Sequence, residues 1–213
     1  PKTDENKVVN EMVWTLPKDM LLKNQLLTLN IIAKNIDKRP IYFHQFLGEE
    51  DFCGLDSYFR KDGIVYRLIP VKDDGLNHGV AEKGSVNTSI MYDNLMNKYN
   101  WGTVNNGKTY IDPVFARNVS WYRDSYNVLA KALLNEGKVK DCEKVLDKME
   151  RDLPVSNTGI GLSQFTRVDT SGLYYNCKAV KKANAIVEDT STYIAKELDY
   201  LYTARLQNTK LVS

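Results

Sequence analysis

The apolar residues between positions 17 and 40 recur at the spacing of a helix. They are separated by four, three, four and three residues, which places them on one face. Pro17 and Asp19 suit a first helical turn, where a proline loses no hydrogen bond and a carboxylate meets the positive end of the helix dipole. Pro40 limits the other end, because the residue before a proline is pushed out of the α region. The pattern predicts one helix whose buried face is made of Leu22, Leu26, Leu29, Ala33 and Ile36.

The periodicity changes after Pro40. Residues 41–46 begin with β-branched and aromatic side chains and are predicted as a strand, and residues 64–71 are predicted as a second strand. Residues 51–60, between them, are predicted as a short helix. Strand, helix and strand together predict a small βαβ unit with a right-handed crossover. The connection is close to the shortest possible crossover, so an antiparallel pairing of the two strands stays open.

A helical pattern returns in the second half of the chain. Asn87 or Thr88 can cap a further helix through its side-chain oxygen. From Pro113 onward the pattern is helical, with breaks near Gly137 and between residues 154 and 172. We therefore predict an α+β fold, mainly α, in which the βαβ unit is followed by antiparallel helical hairpins.

Three segments follow from these elements. We predict a flexible lead-in over residues 1–16, an α/β subdomain over residues 17–112 and a helical subdomain over residues 113–213. The length of 213 residues is enough for one large domain or two small ones, and 43% hydrophobic residues is ordinary for a folded protein.

The charge pattern narrows the classes of partner. The formal net charge is only +2, and lysines and arginines alternate with acidic residues along the chain, which argues against a nucleic-acid binder. No stretch approaches the roughly 20 apolar residues that cross a bilayer. The polar residues 1–7 lack the apolar centre of a secretory signal, and the first residue is not methionine. We expect the chain to be part of a larger protein.

Metal and cofactor chemistry is not predicted. Cys53, Cys142 and Cys177 are far apart, and with the two histidines, His44 and His78, they match no metal-ligand spacing. Buried free thiols are the simpler interpretation. A bridge between Cys142 and Cys177 is the alternative.

Candidate catalytic motifs are weak. The acidic pair Asp73 and Asp74 and the acidic run 49–51 are typical of solvated loops. Residues 159–163 are glycine-rich but lack the lysine of a phosphate loop and a preceding strand, which favours a linker. No catalytic residue is predicted.

The segment 123–156 resembles one repeat of the tetratricopeptide type, a 34-residue helix–turn–helix. Small side chains at Ala130 and Cys142 allow the two helices to approach closely. Gly137 supplies the backbone conformation of the turn, and Pro154 ends the second helix.

A weaker second copy follows the first. Matching Ala183 to Cys142 aligns the copies with an offset of 41 residues, so the connection between them contains an insertion. Lys178 then stands where the first copy has its turn glycine. Repeats of this type bury their faces against neighbours, and the preceding residues are expected to act as a cap.

The resemblance to tetratricopeptide repeats also implies a binding face. Asn127 and Lys131 are one helical turn apart and can hold a peptide carboxylate through charge-assisted hydrogen bonds. An ordinary solvated helix face is the alternative. The candidate peptide-binding face on the first helix consists of Asp124, Asn127, Lys131, Leu134 and Asn135.

A longer resemblance covers roughly residues 20–202. It is carried by ordered short motifs, namely Arg39-Pro40-Ile41-Tyr42-Phe43, Gly54-Leu55-Asp56, Tyr66-Arg67-Leu68, Met91-Tyr92-Asp93-Asn94-Leu95-Met96, Trp101-Gly102 and Glu197-Leu198-Asp199-Tyr200. In these motifs the chain resembles the carboxy-terminal region of a bacterial family of multi-pass membrane proteins that are similar to protein O-mannosyltransferases.

This resemblance implies that a membrane-embedded amino-terminal region, similar to a lipid-linked-sugar glycosyltransferase, carries the catalytic acidic residues. The present chain would be a soluble tail in the cell envelope, on the periplasmic side of the inner membrane. Its expected partners are a protein or peptide and its own membrane-embedded region.

The leading hypothesis is therefore a non-catalytic accessory or scaffold domain of a membrane glycosyltransferase-like protein, and this fragment is not expected to be an enzyme. A free-standing, tetratricopeptide-like peptide-binding module is the alternative. A stand-alone hydrolase or transferase would need a convergent polar pocket with perturbed pKa values.

Overall fold

A computed structural model describes residues 8–16, 20–72, 84–106, 108–158 and 160–212, apart from the side chains of residues 157–162 and 205–212. The chain forms two compact units, Pro1–Tyr99 and Asn100–Ser213. Several residues that carried sequence predictions lie outside the described residues, namely Pro17, Asp19, Asp73, Asp74, His78 and Gly159.

The first unit contains a four-stranded sheet. Its elements are α1 (Lys23–Asn35), β1 (Ile41–His44), β2 (Phe59–Lys61), β3 (Val65–Leu68) and β4 (Ser85–Val86). The strand order is β1-β3-β2-β4. β3 is antiparallel to both β1 and β2, and β4 is parallel to β2. The predicted βαβ unit is therefore wrong, and the antiparallel alternative is confirmed.

The reason lies in the segment that was predicted as the crossover helix. It forms two 3₁₀ turns, Glu49–Phe52 and Asp56–Tyr58. Between them Cys53 and Gly54 have φ angles of 54° and 75°, and left-handed residues interrupt a right-handed helix. Phe59 then begins β2 instead of extending a helix, so β1 and β3 pair without a helical crossover.

Aromatic rings form the core of the first unit. The centroids of Phe43, Phe52 and Phe59 are 4.9 to 6.0 Å apart. Tyr66 lies 5.8 Å from both Phe52 and Phe59. Tilted and edge-to-face ring pairs of this kind add stability beyond the burial of their surface.

α1 contacts this core through only part of the predicted face, because Leu29 and Ile36 pack against the core but Ala33 is exposed. Ile32 is buried, whereas Leu22 and Leu26 are each 53% exposed. Gln25 is buried in their place, because its amide donates to the carbonyl oxygen of Glu50 at 2.8 Å and accepts from the backbone N–H of Leu22 at 2.9 Å. A polar group whose hydrogen bonds are satisfied can replace an apolar one in a core.

The segment 8–16, which the sequence predicts to be part of a flexible lead-in, forms hydrogen bonds with residues that flank β2 and β3. Val13 exchanges two hydrogen bonds with the hydroxyl of Tyr58, at 2.9 and 3.0 Å. The N–H of Val9 donates to the carbonyl oxygen of Pro70 at 2.9 Å. Tyr58 thus fixes this segment beside the aromatic core.

A short helix follows the sheet in the first unit. Asn87 caps α2 (Thr88–Asp93) by accepting from the N–H of Ile90 at 2.9 Å, which confirms one of the two predicted caps. The helix continues as a π-helical turn over Asn94–Lys98.

The second unit is helical. Its helices are α3 (Pro113–Asn135), α4 (Val139–Asp152), α5 (Val155–Thr158), α6 (Ile160–Asn176) and α7 (Val180–Val212). α3 packs against α4 and α6, and α6 packs against α7. The chain is 64% helical with a small sheet near its N-terminus, so the predicted α+β, mainly α class is confirmed.

Two helical hairpins in this unit share one turn geometry. After α3, the N–H groups of Gly137 and Lys138 donate to the carbonyls of Leu134 and Leu133, each at 2.9 Å. After α6, 41 residues later, Lys178 and Ala179 donate to Tyr175 and Tyr174 at the same distance. Both turns are Schellman caps, in which one residue takes a left-handed conformation. The φ angle is 75° at Gly137 and 63° at Lys178.

Single substitutions at these two positions are expected to change the free energy of unfolding in opposite directions. Gly137→Ala should lower the free energy of unfolding by about 1 kcal/mol, because a Cβ is disfavoured at positive φ although no atom lies within 4 Å of it. Lys178→Gly should raise the free energy of unfolding by roughly 0.5 to 1 kcal/mol for the same reason. Urea unfolding followed by circular dichroism measures both changes. If the two variants shift the free energy of unfolding in the same direction, the turn geometry is contradicted.

Candidate functional site

A cleft of about 340 Å³ lies between α3 and α6. Two exposed rings line it: Trp121 of α3 is 53% exposed and Phe165 of α6 is 80% exposed. The remaining lining residues are Arg117, Ser120, Asp124 and Thr166. We refer to these six residues as the α3–α6 cleft.

Helical spacing aligns the α3 side of the cleft. Arg117, Trp121 and Asp124 are four and three residues apart and so share one stripe of the helix. Seven residues of helix place Arg117 and Asp124 about 10 Å apart along the axis. The stripe thus presents a cation, an aromatic ring and a carboxylate in order. An extended polypeptide of about three residues covers that length.

Asn127 shows how α3 and α6 are held together. It is only 5% exposed. Its amide donates to the carbonyl oxygen of Thr166 at 2.9 Å and accepts from the hydroxyl of Thr170 at 3.0 Å. Both contacts are with α6, so Asn127 joins α3 to α6 next to Thr166, a residue of the cleft, and is not available to a ligand.

The predicted binding face is therefore divided. Asp124 lines the cleft, Asn127 is buried under α6, Lys131 and Asn135 are exposed, and Leu134 is half-buried. The predicted pairing of Asn127 with Lys131 on a peptide carboxylate is corrected by the burial of Asn127.

Arg117, Trp121 and Phe165 were not among the predicted site residues. The spacing of Arg117, Trp121 and Asp124 is visible in the sequence, because these residues step along α3 on the side opposite to its apolar core. Phe165 lies 41 residues after Asp124, at the matching position of the second hairpin. Its place beside Trp121 depends on how α6 packs on α3, which no local pattern indicates.

Two arginines buried in the same unit are paired. Arg123 is 0% exposed, and its guanidinium forms an ion pair with Glu150 and donates to the carbonyl oxygen of Leu153 at 2.6 Å. Arg167 donates to Asp189 at 2.6 Å and to the hydroxyl of Thr190 at 2.8 Å. Burial lowers the pKa of Arg167, and the carboxylates of Glu150 and Asp189 oppose that shift. These pairs connect helices.

A polar cluster joins the second helices of the two hairpins. Lys182 lies 2.7 Å from Asp147 and 2.8 Å from Glu143. The hydroxyl of Tyr174 donates to Asp147 at 3.0 Å. Burial, with the nearby Asp147 carboxylate, raises the pKa of Tyr174, so the phenol stays protonated at neutral pH. The cluster braces α4 against α6 and α7.

A larger cavity, of about 500 Å³, lies in the first unit at the end of β1 and β3. Its walls are mostly apolar, including Met12, Ile36 and Leu68, and the charged residues Asp37, Arg39 and Arg67 also line it. The Nε of Arg67 is buried without a hydrogen-bond partner. Guanidinium groups beside an apolar wall can bind a carboxylate or phosphate whose remainder is apolar.

A second exposed apolar surface runs along α7. The residues of this surface are four, three and one positions apart, a spacing that places them on one side of a helix. They are Ile194, Leu198, Leu201 and Tyr202. A contiguous exposed apolar stripe is typical of a protein contact.

Metal-binding geometry does not occur within the described residues, where no group of three or more His, Cys, Asp or Glu side chains converges. In the acidic run 49–51, Glu49 and Glu50 are exposed, and Asp51 accepts from the amide of Asn24 at 2.9 Å.

One comparison with known proteins gives a match. The family model described as TMEM260-associated domain 2 matches residues 1–90, which contain the sheet of the first unit. The match suggests a TMEM260-like family, and hence an accessory domain of a TMEM260-like membrane protein. No curated protein and no solved structure matches the chain. None of the helices that the structure describes has the length and apolar character needed to cross a membrane.

Proposed function

We propose that this chain is a non-catalytic accessory domain of a TMEM260-like membrane protein and that its α3–α6 cleft binds an extended segment of a partner protein. The parent would be a membrane glycosyltransferase-like protein of the cell envelope. The helical unit would hold acceptor or partner proteins beside it, on the periplasmic side. The family match over residues 1–90 supports the association with a membrane protein.

The observation that carries the binding proposal is the pair of exposed rings at the cleft. Trp121 and Phe165 present apolar surface to solvent in a concave site, and aromatic residues supply most of the energy of many protein contacts. The tetratricopeptide-like interpretation of the two hairpins is consistent with this location, because the cleft is formed by the first helix of each hairpin.

The charges beside the rings define the segment that fits. An acidic side chain would pair with Arg117, and a basic one, about three residues away, would lie near Asp124. The side chains between them would be apolar and would rest on Trp121 and Phe165. The proposed ligand is thus a short extended segment with an acidic residue, one or two apolar residues and a basic residue.

Trp121→Ala is expected to weaken this binding roughly thirtyfold, which corresponds to about 2 kcal/mol for an aromatic residue at the centre of a contact. The measurement is titration of labelled peptides of the form acidic–apolar–apolar–basic by fluorescence anisotropy. Tyr110→Ala is the matched control, since Tyr110 is an 85% exposed aromatic residue outside the cleft. Equal losses in the two variants would reject the cleft as the binding site.

Arg117→Glu adds a test of orientation. Because the charge at position 117 is reversed, the variant should no longer bind the peptide with an acidic first residue. It should instead bind a peptide in which that residue is basic. If the wild-type protein binds neither peptide, the proposal as a whole is rejected.

The alternative is a free-standing peptide-binding module that uses the exposed end of the predicted face. It predicts that Lys131→Ala, and not Trp121→Ala, removes binding. Fractionation of host cells with an antibody against this chain separates the two cases. Signal in alkaline-washed membranes, at a mass well above 24.4 kDa, supports the accessory domain, and a soluble species of 24.4 kDa supports the module.

A further inference from the structure

Two cysteines of the second unit lie in direct contact. The Sγ atoms of Cys142 and Cys177 are 2.9 Å apart, and both side chains are buried. This separation is roughly 0.9 Å longer than a disulfide bond of about 2.05 Å. A small adjustment of the two side chains therefore brings the sulfurs to bonding distance.

Their positions in the fold are fixed by separate elements. Cys142 lies in the first turns of α4, on the face that packs against α3 and α6. Cys177 follows the last residue of α6, and its N–H donates to the carbonyl oxygen of Leu173 at 2.9 Å. It is directly followed by Lys178, the residue with left-handed backbone. A covalent bond between the two sulfurs would join the first hairpin to the turn of the second.

We propose that Cys142 and Cys177 are an oxidation site that forms an intramolecular disulfide when the protein meets a small-molecule disulfide. This inference does not depend on the proposed binding function.

The reaction is thiol–disulfide exchange with a low-molecular-weight disulfide such as oxidised glutathione. The thiolate of Cys177 attacks one sulfur of the small disulfide, whose S–S bond breaks and releases one small thiol. Cys142 then attacks the mixed disulfide at the Sγ of Cys177 and releases the second small thiol. The two cysteines lose two protons and two electrons, and the small disulfide gains both.

Cys177 is the entry point because it is the more exposed of the two and lies at a helix end. Cys142 is fully buried. Burial raises the pKa of both thiols, and the thiolate is the reactive species. We therefore expect slow oxidation of the folded protein and faster oxidation during folding, when the thiols are accessible.

The bridge would fasten α6 to α4. Since α6 carries Phe165, it would also restrict one wall of the α3–α6 cleft. Cys142 and Cys177 are 35 positions apart, and a bridge over such a loop stabilises a protein mainly by limiting the unfolded chain.

The test refolds the chain in a glutathione redox buffer or in dithiothreitol, blocks free thiols in denaturant and identifies linked peptides by mass spectrometry. The expected product links the peptides that contain Cys142 and Cys177 and leaves Cys53 blocked. The Tm of the bridged protein should exceed that of the reduced protein by roughly 5 to 10 °C.

Two variants make the test specific. Cys53→Ala retains the pair and should keep the full redox difference in Tm. Cys142→Ala should lose that difference, and it is a mild change because Ala183, also buried, occupies the matching position of the second hairpin. Three reactive thiols after refolding in the oxidising buffer, or a product that contains Cys53, would overturn the proposal.

Discussion

Glu150→Gln is expected to lower the free energy of unfolding by about 3 kcal/mol, at the lower end of the range for breaking a buried ion pair. Glu150 is the only carboxylate among the described residues that forms an ion pair with Arg123. Arg123 is fully buried, and among the described residues its other hydrogen-bond partner is the neutral carbonyl oxygen of Leu153. The amide of glutamine would leave the guanidinium without a compensating charge in a medium that solvates it poorly.

The nearby Arg167 adds to the loss of stability that is expected for Glu150→Gln. It is also buried, and Glu150 contributes to holding its charge, while Arg123 disfavours that charge. The charge of Glu150 thus stabilises two buried cations that repel each other. Removing its charge should be more harmful than Arg123→Met, which removes a cation and leaves a half-buried carboxylate that water can reach. We expect Arg123→Met to lower the free energy of unfolding by about 1 to 2 kcal/mol.

The measurement is urea unfolding at neutral pH, followed by circular dichroism. Glu143→Gln is the control, because Glu143 lies on the same helix and pairs with Lys182 at 2.8 Å in a largely solvated position. Exposed pairs contribute about 0 to 1 kcal/mol. A loss of similar size for Glu143→Gln and Glu150→Gln would show that burial of the Arg123 charge is not the cause.

Gly84→Ala is expected to have a comparable effect in the first unit, a loss of about 3 kcal/mol or more, through steric overlap added to backbone strain. A Cβ at this position would lie 1.8 Å from the carbonyl oxygen of Phe59 and 3.0 Å from that of Asp56. Both atoms belong to the backbone and cannot rotate away. Gly84 immediately precedes β4, so the overlap would displace β4 from β2, with which it pairs.

Gly102→Ala separates the steric part from the conformational part. Gly102 has a φ of 62°, close to the 69° of Gly84, but a Cβ there meets no atom within 4 Å. It should therefore cost only the strain of a left-handed alanine, about 1 kcal/mol. Thermal unfolding of both variants measures the difference, and similar Tm values for the two would contradict the close approach at Gly84.

The turns of the two helical hairpins were accessible from the sequence because their signals are local. The predicted break between residues 154 and 172 is wrong, since α5 (Val155–Thr158) and α6 (Ile160–Asn176) are helical there. The turn at Gly137 and the matching turn at Lys178 were both located by spacing, and the structure gives both the same hydrogen bonds, 41 residues apart. A helix cap depends on four or five consecutive residues, so local chemistry determines it. Assignment of these hairpins to the tetratricopeptide type stays a prediction.

The direction in which the strands pair could not be predicted from local signals. The strands around Phe43 and Tyr66 could be recognised, but their direction depends on whether residues 51–60 form a helix. Left-handed backbone at Cys53 and Gly54, followed by β2, excluded that helix. Hydrogen bonds between strands join residues that are distant in the chain, so their cost and gain cannot be judged from local propensity.

The candidate site was also only partly predictable from the sequence, for the same reason. The sequence alone was enough to place Asp124 and Asn127 on the first helix of a hairpin and to predict an α+β, mainly α chain. Only the packing of α6 against α3 decided that Asn127 is buried and that Trp121 and Phe165 meet in a cleft. The physical reason is that helical periodicity tells which residues share a face. Which neighbour covers that face depends on contacts between helices that are far apart in the chain.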